Sequence, residues 1–155
     1  MRIFKTILVG IGLVLLATCS PKEEKMTFTD TQDSEFKVGQ VWNYRTRPTE
    51  ANSTLTICKV EMAGKLGKVI HISLADVKVK SHKNIDGFST NISHLPFTES
   101  AVKQSVTQLV KEGVALPDYL EGYDLWRNSV ESGEGGVWSI PVADVVAATE
   151  SLLNK

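Results

Sequence analysis

With 155 residues, a formal charge of −1 and 42% hydrophobic residues, the chain has material for one domain with a modest core and is too short for two ordinary ones. Its slightly acidic balance argues against nucleic acid as a partner. The two cysteines, Cys19 and Cys58, bound the redox chemistry tightly.

Residues 1–18 have three parts: a basic start with Arg2 and Lys5, a charge-free apolar run over residues 7–17, and small or polar residues ahead of Cys19. That is signal-peptide anatomy. The apolar run falls short of the roughly 20 residues a membrane-crossing helix needs. Gly10 and Gly12 would each cost a packed helix about 1 kcal/mol relative to alanine. Leu16-Ala17-Thr18-Cys19 resembles the lipobox of bacterial lipoprotein precursors, with Thr18 standing where that pattern usually has Gly, Ala or Ser. The resemblance covers the leader alone. It implies cleavage before Cys19, a diacylglyceryl group and an amide-linked acyl chain on that cysteine, and a lasting membrane anchor, since each buried methylene contributes roughly 0.8 kcal/mol. Serine after the cysteine would direct a diderm lipoprotein to the periplasmic face of the outer membrane. Cys58 is then a lone thiol with no partner for an intramolecular disulfide.

Residues 19–35 are polar and acidic, without hydrophobic period, and read as a flexible tether; residues 36–155 then form a single domain. "FKVGQVWNYRTR" is strand-favouring through Val38, Val41, Trp42 and Tyr44. Two further runs, residues 54–62 and 69–79, are rich in Val, Ile, Leu and Thr and are joined by the glycine-containing "AGKLGK", a hairpin signal. Val77 and Val79 alternate with Lys78 and Lys80, so one face is apolar and the other basic. A three-stranded antiparallel meander is expected.

The following "SHKNIDGFSTNISHLPF" reads as a loop. Over residues 98–113, Val102, Val106, Leu109 and Val110 form one helical stripe, with Thr98 as N-cap and Gly113 as the stop. A short helix is expected over residues 123–132, with Leu125 and Trp126 inward and "GEGG" ending it. Pro141 then opens a helix whose apolar face is Val142, Val145, Val146, Thr149, Leu152 and Leu153, with Ser139 near its cap. Strands followed by helices predict an α+β fold, a small sheet covered on one face by two or three C-terminal helices.

No P-loop, dinucleotide fingerprint or G-x-S-x-G elbow is present, and no cofactor is implied. His71, His82 and His94 lack the spacing of a zinc site. Acid pairs such as Glu121 with Asp124, or Glu131 with Glu134, have helical spacing but read as solvated surface. Cys58 reads as a small core residue. A cysteine hydrolase would need it paired with His71 across the hairpin, and no third orienting group is visible.

Charge is unevenly spread: residues 36–83 hold nine Lys and Arg against three acids, and residues 84–155 hold four against ten. Within one domain such halves attract each other. A basic face could still survive folding, built from Arg45, Arg47, Lys78, Lys80, His82 and Lys83, and steer an anionic partner. Trp42 and Tyr44 could add an aromatic platform beside Arg45, because Trp, Tyr and Arg are enriched at binding hot spots. Trp126 and Trp138 read as core. These features predict a non-enzymatic, membrane-tethered protein-binding module of the inhibitor or immunity kind. An assembly accessory of an envelope complex is the alternative, and a small cysteine-dependent hydrolase a more remote one.

Overall fold

The computed structural model describes residues 25–82 and 85–154. The leader, Cys19 and Lys83 lie outside the described residues. The fold is α+β, with strands β1 (Phe28–Asp30), β2 (Val41–Tyr44), β3 (Thr54–Ala63), β4 (Lys68–Lys80), β5 (Phe88–Thr98) and β6 (Val106–Lys111), and helices α1 (Glu99–Ser105), α2 (Leu120–Glu131) and α3 (Val142–Leu153). The strands form one antiparallel sheet in the order β5-β4-β3-β2-β6. β1 lies along the same edge of β3 as β2, opposite Glu61 to Ala63 where β2 stops at Thr56.

The expected meander is present as β2-β3-β4, but the sheet is twice as large. β5 arises from the stretch expected to be a loop. Its Leu95 and Phe97 are buried beside Ile72 and Ile70 of β4, and Pro96 is tolerated because β5 is an outer strand. Even there the edge is partly closed, for Trp138 bonds through its backbone to Pro96 and Thr98. β1 comes from the segment read as tether, so the folded part begins before Phe36. β6 replaces the second half of the helix expected over residues 98–113. Thr98 does cap α1, accepting from the Ala101 amide at 3.2 Å, but the helix ends at Ser105. The hydroxyl of Ser105 donates to the Ala101 carbonyl and accepts from the Val142 amide. Beyond it, the β-branched Val106, Thr107 and Val110 favour extension, and β2 offers a free edge to pair with.

Each long strand changes the parity of its buried face. On β3, Leu55 and Ile57 point into the main core, as does Val60, because Cys58 is an extra residue in a bulge opposite β4. On β4 the same core takes Ile70, Ile72 and Leu74, then Val77 and Val79 after an irregular stretch in which Asp76 has φ +57°. That core is covered by α1 and α3 through Ala101, Val102, Val142, Val145 and Val146. The opposite sheet face carries a smaller cluster, Ala63 and Val69 under Tyr123, Trp126 and Val130 of α2. Helices therefore lie on both faces, not on one. Within them, Trp126 is buried as expected, whereas Leu125 points outward with 67% exposure, and Leu152 and Leu153 are also exposed.

Candidate functional site

The bulge at Cys58 turns Lys59, Glu61 and Ala63 toward α2. Directly across, β4 presents Val69 and His71 on that face, and β5 adds His94. The result is a buried polar cluster in an otherwise apolar interface. Glu61 and His71 are fully buried, at 1% and 0% exposure, so every polar atom needs a partner. Glu61 Oε1 lies 3.1 Å from His71 Nε2, and the Tyr123 hydroxyl donates to both Glu61 oxygens at 3.1 Å. Lys59 Nζ sits 3.6 Å from Glu61 and also bonds Asp30 of β1. His71 Nδ1 is 2.9 Å from His94 Nε2. Aromatic rings wall the cluster, with Trp126 edge-on to His71 at 4.6 Å and Phe28 edge-on to Trp126 at 5.9 Å.

With both rings neutral, one proton arrangement satisfies all of these contacts. The His71 Nε2–H donates to Glu61, which leaves Nδ1 of the neutral ring to accept from the Nε2–H of His94. Burial, reinforced by the neighbouring His71, pushes His94 down to about 4. Burial also lowers His71, against the opposing pull of Glu61, and both rings are neutral near pH 7. Tyr123 is pushed up to about 12 by burial and by the Glu61 charge. On Lys59, burial opposes the charge, but Asp30 and Glu61 outweigh it and raise the ammonium.

The pairing of Cys58 with His71 is not made. Both His71 nitrogens are occupied by Glu61 and His94, while the Cys58 thiol lies 3.5 Å from the Thr56 carbonyl. Burial pushes that thiol up to about 12, far from the thiolate range a nucleophile requires. Chemically, the cluster is a hydrogen-bonded chain from the half-buried His94 to the buried Glu61. His71 and His94 stand out in the sequence, whereas Glu61, Lys59 and Tyr123 carry no local signal, because the convergence depends on the bulge and on β5.

The residues proposed for a basic aromatic face are dispersed. Tyr44 is buried, its hydroxyl 2.8 Å from that of Ser53, and the half-buried Trp42 packs edge-on against Phe36 at 5.7 Å. They belong to the core, so they supply no exposed platform. Arg47 makes a two-pronged bond to Glu50 at 2.8 and 2.9 Å and lies 3.5 Å from Glu150. Arg45 is exposed but its guanidinium bonds the Gln104 carbonyl. Lys78 and Lys80 are exposed on the face opposite Val77 and Val79, as their alternation predicted. Phe88, opposite Lys80 across the ladder, is exposed too, and Ile85 in the connecting turn is fully so.

Among the described residues, no three His, Cys, Asp or Glu side chains are grouped to hold a metal ion, and no helix is long and apolar enough to cross a membrane. No family model, curated protein or solved structure matches the chain.

Proposed function

We propose that this chain is a lipid-tethered envelope protein that binds an acidic surface of a partner protein through the open end of the β4–β5 hairpin, as an inhibitor or immunity module does. The observation that carries the reading is a sheet face at that end that no helix covers among the described residues. There Lys78, Lys80 and Phe88 are exposed on one side, Ile85 projects from the turn, and α3 closes only the other side. Lysines around protruding apolar side chains combine steering with a desolvated contact.

The tether enters at the opposite end of the sheet. Met26 lies against Gly64 in the turn between β3 and β4, and the 13 residues of β4 separate that turn from the hairpin end by about 40 Å. A chain anchored through Cys19 would hold its binding end away from the bilayer. The test is site-specific photocrosslinking in cells, with the crosslinker placed at Ile85 and, as a control, at Leu125 on the outer face of α2. The reading expects a single stoichiometric adduct from position 85, lost in Lys78→Glu/Lys80→Glu and reduced in Cys19→Ser. An adduct from position 125 alone, or none from either position in a correctly localised protein, overturns it.

A further inference from the structure

We propose that α2 is an acid-released flap, docked over the neutral His71–His94 pair of β4 and β5 and freed when both imidazoles take up protons. The geometry makes the closed state selective for the uncharged rings. In the closed cluster the His71 Nδ1 and His94 Nε2 atoms face each other at 2.9 Å, and one shared proton fills that gap. Protonating both rings would set two N–H groups and two cations against each other. From β3 the pair meets Glu61 and Lys59, from β1 Asp30, and from α2 Tyr123 and Trp126, with Arg127 beside Tyr123. The Glu61 carboxylate is shared among three donors already, so it has little left to offer a second cation.

α2 also stands on the smaller of the two clusters. It contributes no strand, so lifting it breaks no sheet ladder. It packs through a cluster of five buried residues, whereas α1 and α3 share a core of seventeen. Its flanks are irregular, residues 112–119 before it and 132–137 after it, where Gly133 adopts φ +81°. The chain is pinned again only at Trp138, by its backbone bonds to β5. Small clusters between exposed loops open at lower free energy than the main core. Opening would bare Val69, Tyr123, Trp126 and Val130.

The sign follows from proton linkage. Both histidines sit below their ordinary 6.5 when closed, and the opened state regains it, so the opened state binds more protons between the two values. Closure is therefore fully effective above about pH 6.5 and weakens as pH falls toward 4. His94 is held down to about 4 and His71 is lowered in the same direction, so the opening equilibrium rises as pH falls from 7 to 4.5. A protein outside the cytoplasm meets such a change directly.

Hydrogen exchange on the folded domain tests this, read as the protection of peptides within residues 120–131 relative to residues 142–153 after correction for intrinsic rates. The expected result is a selective loss over α2 of tens-fold or more between pH 7 and 4.5, most of it removed in His94→Gln, whose amide can donate to His71 but cannot titrate. Equal loss over α2 and α3, or an unchanged pH dependence in His94→Gln, overturns the proposal. If His94→Gln fails to fold, imidazole titration of the unaltered protein by NMR decides. Closed-state His94 must stay neutral at pH 5.5, and either ring charging near 6.5 with α2 still docked would overturn it.

Discussion

The two ends of β4 are one strand used in opposite ways. At Val69 and His71 the face turned from the main core is roofed by α2, and its charge is folded into a closed set of partners. At Lys78 and Lys80, about 30 Å further along, the same side of the sheet is exposed among the described residues and its lysines reach solvent. The difference does not lie in propensity, since both halves are rich in β-branched residues. It lies in what the rest of the chain brings: Glu61 from the bulged β3, His94 from β5 and Tyr123 from α2 at one end, and at the other Arg47, Glu50, Glu150 and Asn154, which meet the β4 backbone rather than the lysine side chains. A buried polar cluster specifies a single docking geometry for its helix, whereas an open face leaves its geometry to a partner.

The comparison predicts that the first end is sensitive and the second tolerant. The largest effect is expected from Glu61→Leu. The substitution keeps the volume but leaves the Tyr123 hydroxyl and the His71 Nε2–H without an acceptor, and Lys59 with Asp30 alone. Breaking a buried charged network by removing one partner costs about 3–5 kcal/mol. Urea unfolding followed by Trp126 fluorescence should show this loss, with Glu61→Gln intermediate because its amide oxygen still accepts one bond. A Glu61→Leu variant as stable as the parent would mean that the cluster contributes nothing to holding α2.

How much of this was legible beforehand follows from the range of each signal. The meander, the Thr98 cap and the valine face of α3 rest on local pattern, and local pattern located them. The alternation of Val77 and Val79 with Lys78 and Lys80 gave the correct faces for the same reason. The helix read through Val106 to Val110 failed because a stripe of Val, Leu and Val at helical spacing is equally compatible with a short strand, and the free edge of β2 decided between them. β5 was hidden by Pro96, Asn91 and His94, residues that look loop-like until an outer strand of a sheet is available to hold them. His71 and Cys58 were singled out in sequence as neighbours. The bulge at Cys58 sends the thiol to the Thr56 carbonyl and leaves Glu61 as the acceptor that His71 finds, a shift of one residue that no periodicity could reveal. Tyr44 and Trp42 were ambiguous between surface and core for a similar reason, because two-residue spacing does not say which face is covered.

An intermediate effect is expected where Gly122 of α2 approaches the sheet at His94. A Cβ placed on Gly122 would lie 2.7 Å from the Cβ of His94, inside any tolerable contact. Because Gly122 is helical, alanine there also gains helix propensity of about 1 kcal/mol, which opposes an overpacking cost of about 1–3 kcal/mol. Gly122→Ala should therefore destabilise by only about 1 kcal/mol in urea, while loosening α2 selectively in hydrogen exchange. A stabilised variant with unchanged α2 protection would show that the helix is free to step outward, and that the close approach of Gly122 to His94 is incidental to docking.

The smallest effect on stability belongs to the open end. In Lys78→Glu/Lys80→Glu, both altered side chains are exposed, and the contacts β4 makes there run through backbone: the Lys78 amide donates to Glu50, the Lys80 amide to Glu150, and the Lys80 carbonyl accepts from Asn154. Reversing the charges sets two carboxylates near Glu50 and Glu150, a surface repulsion on the order of 0.5 kcal/mol that salt screens. Urea unfolding at low and high salt should find the variant within that margin of the parent and converging with it as salt rises. The sharpness of the contrast depends on this result: a loss of several kcal/mol that persists at high salt would mean the lysines support the hairpin itself, and the bare face would then be a structural edge with no surplus charge to offer a partner.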